Sequence, residues 1–269
     1  MLRINIGIIG CGNMGEAIIK GVISKKVIDK RNIYVSDKIK TKSTAMRTKY
    51  GINAKSFNTS LVRRSDVVII AVKPNSTEKL LSEIKYFIDR KKLIVSIMAG
   101  VRLDSLGKVL CESIPIARVM PNIAAFVGES ISAISYNRFV KKYQKTIVKN
   151  IFSGIGEVAE ISEEMQDSFT SLYGSGPAYF FYIIECFIEA AMREGFSRKN
   201  AASYVKQIIK GSSKFLQLTD VSAQTLREKV TSKGGTTEAA IKVFEKNNLK
   251  QLVKDAIRAG RNRSKHLSI

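Results

Sequence analysis

The chain has 269 residues, with 45 Lys and Arg against 23 Asp and Glu and a formal net charge of +22. This length allows one large domain or two ordinary ones with a sizeable core. No run of about 20 uncharged apolar residues occurs, so we expect no membrane span. The basic residues are spread over predicted turns and helix faces and are not interleaved with aromatic residues. We therefore expect a solvated basic surface and no nucleic-acid partner.

The three cysteines, Cys11, Cys111 and Cys186, are scattered along the chain without the spacing of metal ligands. They indicate free thiols in a reducing compartment, and we expect no metal site. The N-terminus enters a predicted strand at once, which leaves no room for a signal or transit peptide. A cytoplasmic protein is therefore expected.

A glycine-rich turn follows the first predicted strand. The apolar run Ile4–Ile9 is typical of a buried strand, and an amphipathic helix is predicted after the turn. Gly10, Gly12 and Gly15 have the G-x-G-x-x-G spacing of a dinucleotide fingerprint. The first glycine permits the tight turn, the second lets a pyrophosphate approach, and the third lets helix and strand pack closely, while helix N–H groups face the phosphates. We predict a dinucleotide site; a tight turn that binds nothing is the alternative.

The second predicted strand, residues 32–36, ends where the ribose of a bound adenosine is met. Asp37 favours a free 2′-hydroxyl and hence NAD. Ser36, with the lysines that follow it, suits a 2′-phosphate and hence NADP. The residues themselves leave both cofactors open.

Two further predicted strands end in turns at the same edge of the sheet. The apolar run that leads into Ala71-Val72-Lys73-Pro74 is typical of a parallel strand covered on both faces, and Pro74 ends it. A strand over 93–97 ends in Met98-Ala99-Gly100. Ligands of open α/β sheets bind at the carboxyl edge. We predict that Lys73 contacts the cofactor; an ordinary surface lysine is the alternative.

The remaining pattern divides the chain into two parts. Strands are predicted over 116–122, 131–136 and 157–161, with a helix over 139–152, and this alternation predicts a doubly wound α/β sheet. Strand signals vanish after Ser162 and helical patterns follow. We expect a dinucleotide-binding domain of the Rossmann type over 1–161 and an all-helical domain over 162–269.

One helix of the second half, residues 178–192, is apolar on nearly all sides. It follows the break Gly174-Ser175-Gly176-Pro177, and Pro177 suits the first turn of a helix. A helix of this kind is buried all round. A domain of about a hundred residues can hardly enclose it alone. We therefore expect a dimer whose partner covers the remaining face.

A second glycine-rich turn, Ser232-Lys233-Gly234-Gly235-Thr236-Thr237, opens a later helix. Free N–H groups and hydroxyls at a helix start form a natural carboxylate site. The alternative is an ordinary helix cap, in which the Thr236 or Thr237 hydroxyl accepts an N–H of its own first turn. Local chemistry favours neither alternative over the other. The single histidine, His266, lies in a basic C-terminal helix and is expected to be inert.

These segments together resemble pyrroline-5-carboxylate reductase, the enzyme of the last step of proline biosynthesis, over essentially the whole chain. The residues that carry the resemblance are Gly10–Gly15, Ala71–Pro74, Arg118–Asn122, Gly174–Tyr179, Val230–Ser232 and Gly234–Thr237. It implies hydride transfer to C5 of the imine of 1-pyrroline-5-carboxylate, giving L-proline, with NADPH as cofactor and NADH as the alternative. It also implies a homodimer, or a larger ring of dimers, in which one subunit's nucleotide domain meets the other's threonine turn.

The resemblance also implies the roles of individual residues. The expected cofactor-binding residues are Ile9, Gly10, Cys11, Gly12, Asn13, Met14, Ser36, Asn58, Ala71, Val72, Lys73, Pro74, Ile97, Met98 and Ala99. The expected substrate-binding residues are Asp220, Ser232, Gly235, Thr236 and Thr237. Thr237 is the expected catalytic residue, because its hydroxyl would lie near the ring nitrogen. Asn58 would favour a 2′-phosphate.

Two positions depart from the family pattern. The family usually has proline where this chain has Lys233, and an apolar residue where it has Glu238. The first change would loosen the loop, and the second places an acid near the anion site. A negative charge also suits the first turn of a helix, so we interpret Glu238 as tolerated.

Two other functions compete with this interpretation. A 3-hydroxyacid dehydrogenase of the same architecture would use a lysine on the first long helix after the nucleotide domain. The first lysine beyond Gly174 is Lys199, which disfavours that enzyme. A non-catalytic nucleotide-binding or nucleic-acid-associated protein is suggested by charge alone.

Overall fold

The computed structural model describes residues 1–111 and 113–267. Within them, eight strands form one sheet in the order β3-β2-β1-β4-β5-β6-β7-β8. Strands β1 to β6 are parallel, in the order typical of dinucleotide-binding domains. The strands are β1 (Ile6–Ile9), β2 (Ile33–Ser36), β3 (Asn53–Ala54), β4 (Val67–Ile70), β5 (Leu93–Ser96), β6 (Ile116–Met120), β7 (Ser130–Tyr136) and β8 (Gly156–Glu160).

Helices cover both faces of this sheet, and the pleat of the central strands explains why. Val67 and Ile69 of β4 belong to one buried apolar cluster, whereas Val68 and Ile70 belong to the other. Because neighbouring side chains of a strand point to opposite faces, a continuous apolar run requires cover on both sides. The covering helices are α1 (Asn13–Ser24), α2 (Lys40–Tyr50), α3 (Asn58–Arg64), α4 (Thr77–Ile84), α5 (Leu103–Leu110) and α6 (Lys142–Ser153).

The connection between β6 and β7 differs from the others because it contains no crossover helix. The chain makes a short 3₁₀ turn over Ile123–Val127, and Gly128 follows with φ +80°. A connection this short returns the chain antiparallel, since a parallel neighbour needs a longer crossover. Strand β7 therefore pairs antiparallel with β6, while β8 pairs parallel with β7.

Contacts divide the described chain into two compact units. The first unit contains residues 1–175 and the chain from Gly260 onward, and the second contains residues 176–259. The segment after Ser162 holds α7 (Gln166–Phe169) and the π-helical turn Thr170–Gly174, and it belongs to the first unit. The predicted boundary follows a change in sequence pattern, whereas the contacts divide the chain at Gly176.

The second unit is helical. Its described helices are α8 (Gly176–Arg193), α9 (Arg198–Gln217), α10 (Ala223–Lys229), α11 (Thr236–Lys246) and the start of α12 (Leu249–Leu267). Across residues 176–259, all of which are described, Ala201 and Val205 are the only buried hydrophobic side chains. Within the described residues, every helix is too short or too polar to cross a membrane.

A buried ion cluster holds the segment after β8 against the sheet. Arg118 of β6 is 3% exposed; its Nη1 lies 3.1 Å from Glu163 Oε1 and its Nη2 lies 3.9 Å from Asp167 Oδ1. Glu163 also accepts the Leu103 N–H at 2.7 Å, and Asp167 accepts the Ser264 hydroxyl at 2.8 Å. One guanidinium therefore neutralises two carboxylates that are nearly removed from water.

Replacing Arg118 with leucine should destabilise the first unit by about 3–5 kcal/mol, because two buried carboxylates lose their counter-charge. Denaturant unfolding followed by circular dichroism measures the loss. Arg31→Leu is the control, since the Arg31 side chain is 83% exposed in its pair with Asp29 and such pairs contribute little. Equal unfolding midpoints for the two variants would contradict this account of the cluster.

Candidate active site

The turn between β1 and α1 leaves no room for side chains at two of its glycines. Gly10 has φ +107°, and a Cβ added there would lie 2.5 Å from the carbonyl oxygen of Ala71. A Cβ on Gly15 would collide with the carbonyl oxygen of Gly10. A Cβ on Gly12 would meet no atom within 4 Å. The first and third glycines are therefore required for packing, and the space above Gly12 fits the close approach of a pyrophosphate.

The carboxyl ends of four strands lie side by side next to this turn. The Gly10 N–H donates to the Ser36 carbonyl at 2.8 Å, and the Ala71 N–H donates to the Ile9 carbonyl at 2.8 Å. The Ile97 N–H donates to the Ile70 carbonyl at 3.1 Å. These bonds continue the parallel ladder beyond the strands. They bring the four predicted cofactor segments, Ile9–Met14, Ser36, Ala71–Pro74 and Ile97–Ala99, to one edge of the sheet.

Asp37 supports the turn from the neighbouring strand end. One oxygen of its carboxylate accepts the Cys11 N–H at 2.8 Å, and the other accepts the Ile39 N–H at 2.8 Å. The register that pairs Ile9 with Ser36 places Asp37 beside the glycine turn. The sequence offered Asp37 as a ribose ligand, whereas in the structure its carboxylate binds backbone. The backbone contacts of Asp37 depend on strand register, which the periodicity of the sequence does not reveal.

The thiol of Cys11 lies within the same turn and is inert. Burial, and after it the nearby Asp37 carboxylate, raise its pKa to about 12. Its Sγ lies 3.7 Å from the Ser36 carbonyl oxygen. Cys11 therefore contributes backbone and packing to the turn, and not a thiolate.

The two residues expected at the adenosine end of the site meet directly. Ser36 is 1% exposed, and its hydroxyl donates to Asn58 Oδ1 at 2.8 Å. Asn58 Nδ2 in turn donates to Glu83 Oε2 at 2.9 Å. Glu83, on α4, orients the amide, and nothing in the sequence pattern indicated that role.

The two turns expected to flank the nicotinamide ribose are joined by Thr77. Its hydroxyl oxygen lies 2.6 Å from the Pro74 carbonyl oxygen and 3.1 Å from Met98 Sδ. Met98 is buried, while Lys73 is exposed at the start of a short 3₁₀ turn. The structure thus connects Ala71–Pro74 with Ile97–Ala99 through Thr77, which lies outside the predicted cofactor segments.

The threonine turn of the second unit is closed by its own backbone. The Gly235 N–H donates to the Ser232 carbonyl at 3.0 Å, and Gly234 has φ +75°. This pattern is that of a type II β-turn with Lys233 and Gly234 as its central residues. Glycine fits the third position because it adopts positive φ without strain.

Helix α11 begins directly after this turn. Gly235 is the N-cap residue, and no side chain makes a capping hydrogen bond there. The alternative of an ordinary cap by the Thr236 or Thr237 side chain is therefore not seen at the start of α11. Thr236, the first residue of α11, is exposed, and Thr237, the second, is half-buried. Asp220 is exposed in the loop between α9 and α10, and its role stays a prediction.

Comparisons with known proteins agree with both halves of the chain. A family model described as pyrroline-5-carboxylate reductase dimerisation matches residues 163–267, and one described as NADP oxidoreductase, coenzyme F420-dependent, matches residues 5–100. Pyrroline-5-carboxylate reductase of Methanosarcina acetivorans is 36% identical over 262 residues, which cover 97% of each chain. The chain belongs to the pyrroline-5-carboxylate reductase family.

Solved structures of the family share the fold over the full length. The pyrroline-5-carboxylate reductase of Coxiella burnetii has a TM-score of 0.94 and 34% identity, with 100% of each chain covered. The Plasmodium falciparum enzyme, solved with NADP bound, has a TM-score of 0.90 and 32% identity, with 100% of each chain covered. The Rossmann-type sheet with a helical C-terminal dimerisation domain is thereby confirmed, as is the use of NAD(P)H.

Gly12→Ala and Gly15→Ala should separate the binding role of the turn from its packing role. Gly12→Ala should keep the wild-type melting temperature and weaken NADPH binding by about tenfold or more, because its methyl group enters the pyrophosphate space. Gly15→Ala should lower the melting temperature, because its methyl group meets the Gly10 carbonyl. Calorimetric titration and thermal unfolding measure the two effects. Unchanged NADPH affinity in Gly12→Ala would show that the pyrophosphate does not bind at this turn.

Proposed function

We propose that this chain is a pyrroline-5-carboxylate reductase that transfers a hydride from NAD(P)H to C5 of 1-pyrroline-5-carboxylate and forms L-proline. The observation that carries the proposal is the family membership, which extends over both domains. The geometry supports the two halves of the reaction separately. The glycine turn at the sheet edge supplies a dinucleotide site, and the threonine turn of α11 supplies a carboxylate site.

The chemistry makes modest demands on the chain. Bound reduced nicotinamide supplies the hydride. A protonated imine is already electrophilic at C5; the C=N bond becomes a C–N bond, and the nitrogen keeps its proton. The protein must therefore hold the two reactants in line and exclude water. We assign Thr237 a hydrogen bond to the ring nitrogen, which orients the imine without strong acid catalysis.

The substrate carboxylate is proposed to bind at the start of α11. Ser232, Gly235, Thr236 and Thr237 would bind it with hydroxyl and N–H donors at the positive end of the helix dipole. Asp220 is proposed to lie near the ring nitrogen, where a carboxylate favours the cationic imine. The net charge of +22 also attracts anionic reactants toward the protein.

NADPH is the proposed cofactor, with NADH as the alternative. Asp37, the residue that argued for NAD, has both carboxylate oxygens engaged by backbone N–H groups. The bonded pair Ser36–Asn58 and the exposed lysines at positions 38, 40 and 42 suit a 2′-phosphate. These contacts support the phosphorylated cofactor.

A homodimer is proposed on the exposure of α8; a larger ring of dimers is the alternative assembly. Phe180 and Tyr182 are 64% and 67% exposed in the single chain. An apolar surface of this extent needs a cover, and residues 162–269 are proposed to form the dimerisation and substrate-binding domain. The free thiols of Cys11 and Cys186 support a cytoplasmic location.

The purified wild-type protein should oxidise NADPH when 1-pyrroline-5-carboxylate is added, with a higher kcat/KM than for NADH. Thr237→Ala should lower kcat/KM by about a hundredfold, because the imine loses its orienting hydroxyl, while Thr237→Ser should retain most activity. Absorbance at the nicotinamide band measures both. A protein that leaves this substrate unreduced but turns over a hydroxyacid would overturn the proposal. If Thr237→Ala weakened NADPH binding by as large a factor as it lowered kcat/KM, the role given to Thr237 would be contradicted.

Mixed dimers should show whether sites are shared between subunits. Gly12→Asp damages the nucleotide turn, and Thr237→Ala damages the threonine turn. If each site combines the two subunits, every heterodimer contains one intact site, and a fully exchanged equal mixture recovers about a quarter of wild-type activity. The test is an assay before and after subunit exchange, with heterodimers verified by mass. No recovery would mean that each site is built from one chain.

A further inference from the structure

The threonine turn is tied to helix α11 by a single carboxylate. Glu238 Oε2 accepts the Gly234 N–H at 2.9 Å. Its other oxygen, Oε1, lies 3.4 Å from Lys242 Nζ, one helical turn further along. The bond to Gly234 and the neighbouring Lys242 ammonium both hold the pKa of Glu238 below its ordinary value. Both neighbours therefore favour the ionised form of this carboxylate.

This bond restrains the part of the turn that is otherwise least restrained. Gly234 carries the positive φ of the turn, and glycine is the most flexible residue of a chain. Lys233 occupies the second position of a type II turn, where proline would fix φ in advance. The turn therefore lacks a residue that pre-sets its backbone. The Glu238 carboxylate supplies the missing restraint from the first turn of α11.

We infer that Glu238 is a positioning residue of the substrate-carboxylate site: it holds the Ser232–Gly235 turn in the conformation that presents the Ser232 and Thr237 donors. This inference rests on the proposed function. It replaces our sequence-based view that Glu238 is merely tolerated beside an anion site. Lys242 has the secondary part of orienting the carboxylate.

A positioning role and a purely electrostatic role predict opposite results. If Glu238 acts only as a negative charge near an anionic substrate, removing the charge relieves repulsion and lowers KM. If it orders the turn, removing the acceptor raises KM although the repulsion is gone. Gln keeps an acceptor oxygen without the charge, whereas Ala removes both, so the two substitutions separate these effects.

The experiment compares Glu238→Ala, Glu238→Gln, Lys233→Pro and the double variant Glu238→Ala with Lys233→Pro in the assembled enzyme. Glu238→Ala should raise KM for 1-pyrroline-5-carboxylate about three- to tenfold with the NADPH dissociation constant unchanged. Glu238→Gln should raise it less. Lys233→Pro should restore most of the loss in the double variant, because proline pre-sets the turn. Glu245→Ala, an exposed acid on the same helix, is the matched control.

Two results would overturn the inference: an equal or lower KM in Glu238→Ala, or a double variant no better than Glu238→Ala alone. Hydrogen exchange of the 230–237 peptide gives a readout that needs no substrate, and Glu238→Ala should exchange faster there. If the wild-type enzyme does not reduce 1-pyrroline-5-carboxylate, the proposed function fails. Unchanged exchange in Glu238→Ala instead refutes the restraint itself.

Discussion

The close passage of backbone over backbone at Gly10 is the constraint on which the first unit depends. The turn lies so near Ala71, and α1 starts so near Gly10, that neither Gly10 nor Gly15 has space for a side chain. The position of Gly12, the N-cap residue of α1, stays open, because a Cβ there would meet no atom within 4 Å. Asp37 fixes the same turn from β2. A dinucleotide site follows from packing that the sheet needs in any case.

The two glycine-rich turns of the chain work under different physical conditions. The first lies within a dense core and is held by parallel strands on both sides, so its shape is over-determined. The second lies on the exposed surface of a helical unit with few buried side chains, and its conformation depends on local bonds such as that from Gly234 to Glu238. In the second turn a single substitution can therefore change the geometry of the site.

Periodicity and glycine spacing predicted the central strands, the long helices and the cofactor edge, because each of these signals is local in the chain. The antiparallel β7 was not distinguished, since its direction depends on the absence of a crossover helix. The contacts of Asp37 and Thr77 also escaped prediction. They join segments that are distant in sequence and depend on strand register and side-chain direction. The prediction for Glu238 considered only its charge, whereas its role as inferred from the structure rests on the hydrogen bond that it accepts from the Gly234 N–H.

The end of the chain completes the unit that the beginning starts. Residues from Gly260 onward belong to the first compact unit, and Ser264 bonds to Asp167 across 97 positions of sequence. During synthesis the sheet can form early, but the cluster around Arg118 acquires the Ser264 hydroxyl only when the segment from Gly260 onward has left the ribosome. A C-terminal truncation or fusion therefore acts on the nucleotide-binding half of the molecule, although it is made at the opposite end of the sequence.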